Sequence, residues 1–148
     1  MSPRRENTFL QVAAVCYRPT SHGPAFLLVR TFDGKWTFPK GQIDDGMSEV
    51  EAAENEAWEE GGVTGRVEHE PLTSYHYSKG GNADGTEIEV NAYLMEVLEA
   101  RPPLEPHRDP QWFFPEAAKE ALAEGRITKY ARELARVINL AVEHLDET

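Results

Sequence analysis

Apolar and β-branched residues fill positions 8–18 and again 25–31, and turn-forming residues occupy 19–24 between them. This predicts two strands joined by a loop. Residues 34–46 set Gly, Pro, Lys and Asp around Trp36 and Phe38, which predicts a short extended piece leading into a long loop. A helix is expected next. Ser48 with Glu51 forms a capping box, Val50, Ala53 and Ala57 make an apolar stripe, and Gly61 with Gly62 supplies the stop. Residues 66–78 and 86–97 read as a hairpin around the turn-rich 79–85. In its second strand Ile88, Val90, Ala92 and Leu94 alternate with Glu87, Glu89, Asn91 and Tyr93. The proline-rich 99–110 reads as a loop, 111–114 as a short strand, and Pro115 opens a helix to about Glu124. A last helix over 128–145 places Tyr130, Leu134, Ile138, Ala141 and Leu145 on one face, expected to pack on the sheet. The order predicts an α+β fold with a mixed sheet between helices, and there is no internal repeat.

Composition narrows the classes. The 148 residues, 40% hydrophobic and 28% charged, fit one domain spanning 1–148 with a core of its own. No apolar run approaches the roughly 20 residues that cross a bilayer, and the polar, basic residues 1–8 do not resemble a secretory signal, so no membrane partner and a cytoplasmic address are expected. Cys16, the only cysteine, lies in an apolar alternating segment and is expected to be a buried, inert thiol. A net charge of −11 excludes long nucleic acid as a favoured partner, because phosphate-backbone affinity needs clustered Lys and Arg. A small phosphorylated substrate remains compatible if a divalent cation cancels the local repulsion.

The helix carries a place for such a cation. Glu49, Glu51, Glu54, Glu56, Glu59 and Glu60 follow one another without an intervening Lys or Arg. At 100° per residue Glu56, Glu59 and Glu60 share an arc of roughly 100° at the C-terminal, negative end of the helix dipole. Each like-charge pair there costs a few tenths of a kcal/mol. Oxygen ligands without His or Cys select a hard ion, Mg²⁺ or Mn²⁺, over zinc. Taken alone, such a cluster is more often a solvated acidic face.

The wider spacing changes the reading. Gly41, Glu56, Glu59, Glu60, Gly62 and Val63 fall where the Nudix box places Gly, five residues, Glu, seven residues, Arg-Glu-apolar-any-Glu-Glu-any-Gly-apolar. With Phe38-Pro39-Lys40-Gly41 before the box and Trp112-Phe113-Phe114-Pro115-Glu116-Ala117-Ala118 late in the chain, the sequence resembles the Nudix hydrolases. Its look is nearest the branch acting on diadenosine or diphosphoinositol polyphosphates. Met47 and Asn55 depart from the box, standing where the family usually has Glu and Arg. Those two are understood to brace the loop against the helix, so losing both leaves no orphan charge, although the rigidity of the loop around Lys40 and Gly41 is then in question.

The resemblance implies an α/β/α sandwich and a metal-dependent pyrophosphohydrolase, with Glu56, Glu60 and Glu59 holding Mg²⁺ or Mn²⁺. It further implies Glu59 as the base that orients or deprotonates water, with Glu87, Glu89 and Glu105 in reserve. Arg30, Lys40 and Gly41 are the candidate substrate contacts, and Lys79 and Arg108 are further cations. Tyr75 and Tyr77 are candidates to stack a base, while His76 and His107 are left out of the catalytic set. A dinucleoside polyphosphate is the expected substrate, with nucleoside triphosphates and nucleotide sugars as alternatives. A nucleotide-binding sensor that does not cut, and a metal-free domain meeting a basic partner, are rival readings. Monomer and homodimer both stay open.

Overall fold

The computed structural model describes residues 8–79 and 86–147. The expected turn at 79–85, apart from Lys79, and the basic residues 1–7 lie outside them. Two long strands form the spine: β1 (Thr8–Thr20) and β7 (Glu87–Ala100) run parallel, with Val12 opposite Asn91 and Val15 opposite Leu94. On its other side β1 pairs antiparallel with two partners in turn. Residues 17–20 meet β2 (Gly23–Arg30), and residues 11–13 meet β4 (Lys40–Gln42). β2 pairs with β3 (Trp36–Thr37) and with β8 (Gln111–Phe113). β7 likewise carries β6 (Thr73–Ser78) and then β5 (Val63–Val67).

Among the described residues, three helices cover the two faces. Successive β1 residues point to opposite faces. Val12, Ala14 and Cys16 pack with Ala52, Ala53 and Ala57 of the first helical segment, α1 (Glu49–Glu56) and the turn after it. Ala13 and Val15 join Phe26, Leu28, Leu94 and the apolar faces of α2 (Pro115–Ala123) and α3 (Thr128–Asp146). Burying each large aliphatic or aromatic side chain contributes about 1.5–3 kcal/mol, so the two cores hold both helical layers on the sheet. This is the expected α/β/α sandwich with a mixed sheet. Tyr130, Leu134, Ile138 and Ala141 are buried against the sheet and Leu145 packs at the edge, as the helical stripe predicts. Cys16 is fully buried, and desolvation pushes its thiol up to about 12, so it is inert.

Several boundaries differ from the sequence expectation. The 19–24 stretch is not a loop: Pro19 faces Pro24 at the end of a hairpin closed through Ser21 and His22, where ladder donors are no longer needed. The single strand expected over 66–78 is two, broken around Pro71, because β7 is long enough to take two partners along one edge. β7 continues to Ala100, past the expected loop start, and a single 3₁₀ turn forms at Pro106–Arg108. The glutamate helix is α-helical only to Glu56. It widens into a π-type turn over Ala57–Gly61.

Candidate active site

The predicted capping box is present: Ser48 Oγ accepts from the Glu51 N–H at 3.1 Å, and Glu51 Oε1 accepts from the Ser48 N–H at 2.9 Å. Glu49 accepts from Asn91 Nδ2 and from the Tyr93 hydroxyl, both at 2.8 Å, which ties the helix start to β7. The C-terminal end is fixed by Gly62, which has φ +69°, and whose Cβ, were there one, would stand 2.0 Å from the Arg101 carbonyl oxygen. Only glycine fits there. Between these anchors the i to i+5 bonding of the π turn widens the helix. This brings Glu56 and Glu60, four apart, toward one line.

Glu56, Glu59 and Glu60 meet the chain in different ways. Glu56 lies against Gly41 of β4, where a Cβ would be 2.3 Å from Oε1. Glu60 is buried, accepts from the Lys40 N–H at 3.2 Å and pairs with Arg108 at 3.3 Å. Glu59 is half-buried and accepts from Asn55 Nδ2 at 3.3 Å. The Glu56 and Glu60 carboxyl groups stand close enough to act on each other. Burial, reinforced by Glu60, Glu59 and Glu105, pushes Glu56 up to about 8. Burial also raises Glu60, against the opposing pull of Arg108. Two neighbouring carboxyl groups both raised by burial form a place that favours added positive charge.

Lys40 and Gly41 are pinned rather than loose. β4 pairs with β1, Gly41 opposite Val12 and Lys40 opposite Ala13, so the backbone beside the carboxylates is part of the sheet even without the box Glu and Arg. Met47 packs against the apolar cluster under α1, and Asn55 binds Glu59, so neither departure leaves a charge unpaired. Among the described residues no three His, Cys, Asp or Glu side chains converge as a ready-made ligand set. Arg108 and Asn55 hold Glu60 and Glu59.

Of the reserve glutamates, Glu105 reaches the helix. Its N–H donates to the Glu59 carbonyl at 3.3 Å, and its carboxylate binds Arg108 Nε at 3.0 Å and His107 at 3.7 Å. Glu89 pairs with His76 on the β7–β6 ladder at 3.5 Å, and Glu87 starts β7. Arg30 lies over the Trp36 ring at 3.9 Å and donates to the Gly34 carbonyl at 2.8 Å, and its own carbonyl accepts from Arg108 at 3.2 Å. Its backbone thereby holds Arg108. Lys79 is exposed at the end of β6. Tyr75 does not present a ring for stacking: it is 1% exposed with its ring edge-on to Phe38. The Tyr77 ring is covered by the Lys40 ammonium at 4.8 Å. Phe32, 86% exposed, is an open aromatic side chain near this turn, stacked on His107 at 4.6 Å with the Arg108 guanidinium over its ring at 5.4 Å. Nothing local in the sequence marks Phe32, because only folding brings 32 and 107 together.

The fold and this helix define a class: sandwich proteins that lay a glutamate-rich turn against a glycine of the neighbouring strand. The NUDIX domain family matches residues 8–134, and the chain belongs to the NUDIX family. Among solved structures, the Ap4A hydrolase of C. elegans superposes with a TM-score of 0.72 at 22% identity, covering 93% of this chain and 98% of that one. A NUDIX hydrolase from Nitrosomonas europaea gives 0.69 at 21%, covering 91% and 90%. The NUDIX domain of Shewanella oneidensis NrtR, complexed with ADP ribose, gives 0.68 at 20%, covering 93% and 88%. At these identities the likeness is one of fold. Family membership supports a hydrolase of pyrophosphate bonds, and Nudix enzymes generally use divalent metal ions. Among the described residues no helix is long and apolar enough to cross a membrane.

Proposed function

We propose that this chain is a pyrophosphohydrolase working as one domain, with Glu56, Glu59 and Glu60 as its metal site and a dinucleoside polyphosphate as its substrate. The observation that carries the reading is the pair of facing carboxyls, Glu56 against Gly41 and Glu60 on the Lys40 N–H. These residues fit a hard divalent cation: oxygen donors alone, half-buried, in excess of the local positive charge. Glu56 and Glu60 would hold Mg²⁺, or Mn²⁺ in its place, with Glu59 beside them. The bound ion supplies neutralisation of phosphate charge and a more acidic water.

The chain's own residues do the rest. Glu59, kept in place by Asn55, takes the proton of the attacking water. Lys40 and Gly41 line the phosphate path with an ammonium and a backbone that carries no side chain. Arg108, paired with Glu60 and bonded to the Arg30 carbonyl, stands where it would balance the charge of Glu60 or of a phosphate beside it. Phe32, largely exposed, is an aromatic side chain that a base could meet. The superposition on a protein named as an Ap4A hydrolase supports a dinucleoside tetraphosphate in particular.

One observation favours a second reading. Arg108 and Asn55 occupy two of the three carboxylates, as in a module that binds a nucleotide and leaves it intact. A substrate panel separates the two: diadenosine tetraphosphate, ADP-ribose, a nucleoside triphosphate, a nucleotide sugar and an inositol pyrophosphate, each with Mg²⁺ or Mn²⁺. Hydrolysis led by the dinucleoside polyphosphate is expected. Saturable binding with no product from any of them would leave the sensor.

A further inference from the structure

An edge strand offers bare N–H and C=O groups to any chain able to pair with it, and the outer strands of this sheet meet that hazard in different ways. β3 and β8, both beside β2, are two and three residues long. β5 is broken by a bulge between Thr64 and Gly65, and its Arg66 side chain is 77% exposed. β6 has none of these protections. Its Thr-Ser-Tyr-His-Tyr-Ser, residues 73–78, runs in unbroken register with β7 and holds no Lys, Arg, Asp, Glu, Pro or Gly, in a chain that is 28% charged. Among the described residues no second strand pairs with it. Two side chains of α3 meet its outer edge instead. Arg136 donates through Nη2 to the Ser74 carbonyl at 2.7 Å and through Nη1 to Thr73 Oγ1 at 2.9 Å. Glu133 Oε1 accepts from the His76 N–H at 3.4 Å. Ser74 and His76, two apart, turn their backbone groups to the same edge. Arg136 Nε and Glu133 Oε2, 3.2 Å apart, tie the two side chains together. The pair supplies a donor and an acceptor where a neighbouring strand would.

We propose that Glu133 and Arg136 keep closed a strand edge that is complementary to itself, and that the partner this edge fits is a second copy of the chain. Ser74-Tyr75-His76-Tyr77-Ser78 reads the same in both directions about His76. Two copies set antiparallel across a two-fold axis at His76 place Ser74 opposite Ser78 and Tyr75 opposite Tyr77. Matched rows then face each other with no carboxylate or ammonium to repel. The backbone bonds exchanged at Ser74 and His76 would replace those that α3 now makes. An unrelated strand would meet the same backbone groups without the matched rows. Besides covering the core, α3 thus holds β6 in single copy. The glutamate helix packs on the other sheet face, so this edge is independent of the hydrolase reading.

Sedimentation equilibrium of the full chain compares wild type with the double variant Glu133→Ala, Arg136→Ala. The double variant is expected to dimerise at least about tenfold more tightly than wild type, because its edge groups stand bare. Adding His76→Lys sets like charges opposite each other only across the two-fold axis, and should return association to within about twofold of wild type. Hydrogen exchange locates the contact. The His76 amide should exchange faster in the double variant than in wild type at low protein concentration, and slower as the dimer fills. Glu133→Gln, whose amide oxygen still accepts from His76, is expected to stay at the wild-type level. Should the double variant not fold, Arg136→Ala alone bares the Ser74 carbonyl and carries the same comparison. Association unchanged from wild type, assemblies larger than a dimer, dimers that survive His76→Lys, or a His76 amide left unprotected in the dimer would overturn the proposal.

Discussion

Glu56 leans on Gly41 so closely that a Cβ at 41 would fall within 2.8 Å of both carboxylate oxygens. The obstacle is the flexible end of a side chain, not backbone, so Gly41→Ala is expected to fold. It would displace the carboxylate rather than the strand. Turnover should fall at least about tenfold and Mg²⁺ affinity with it, while the melting temperature drops by only a few degrees, as for mild overpacking. Kinetics and thermal melts on one preparation check both halves.

The raised Glu56 carboxyl gives a pH signature. Burial and neighbouring carboxylates raise Glu56 to about 8 from an ordinary 4.5, so the folded protein holds this proton more tightly than the unfolded chain. The stability it contributes is full below about pH 4.5 and is lost as pH rises through about 8. Metal-free protein should therefore melt at progressively lower temperature from pH 5 to pH 9. Added Mg²⁺ should cancel most of that fall, bind more tightly as pH rises, and release a proton on binding.

The fold could be read in the sequence wherever periodicity met burial. The alternation of Ile88, Val90, Ala92 and Leu94 and the stripe on α3 both point into the same core, as predicted. β4 was not legible, because Lys40, Gly41 and Gln42 carry no strand pattern and pair only because β1 leaves an edge open to them. The Pro71 break was hidden for a related reason: one long strand, β7, decides where its two short partners stop. In the candidate site the three glutamates follow from helical spacing. Arg108 was already a candidate cation in the sequence, but its place on Glu60, like the stacking of Phe32 on His107, comes from distant loops, and no local pattern marks a neighbour set by the tertiary fold.

Substitution within the trio should separate two roles. Glu59→Gln is expected to cost orders of magnitude in kcat with metal affinity nearly kept, while Glu56→Gln and Glu60→Gln lose metal affinity as well. Calorimetry with Mn²⁺ beside steady-state kinetics measures the split. Should Glu59→Gln keep near-full turnover, the base lies elsewhere, and Glu105, held beside the trio by Arg108, is tested before Glu89.

Met47 and Asn55 line one surface hollow beside the helix. Met47→Glu alone puts a charge where apolar packing stands, and Asn55→Arg alone removes the amide that holds Glu59. Together they restore the pair usual in the family. A double-mutant cycle by denaturant unfolding should show the double variant more stable than the sum of the singles by about 1 kcal/mol.

Arg108 neutralises Glu60 across a contact with side chains only 14% and 6% exposed. Arg108→Gln should destabilise the metal-free protein by up to about 3–5 kcal/mol, because it leaves a buried carboxylate without its partner. Mg²⁺ should restore more stability to this variant than to wild type, as followed by melts with and without the ion.

The most direct measurement is anomalous diffraction at the manganese edge from crystals soaked in Mn²⁺. Density between the Glu56 and Glu60 carboxylates, at about 2.0–2.3 Å from their oxygens, is the predicted result. Crystals that take up the ion elsewhere while these two side chains face only solvent would contradict it.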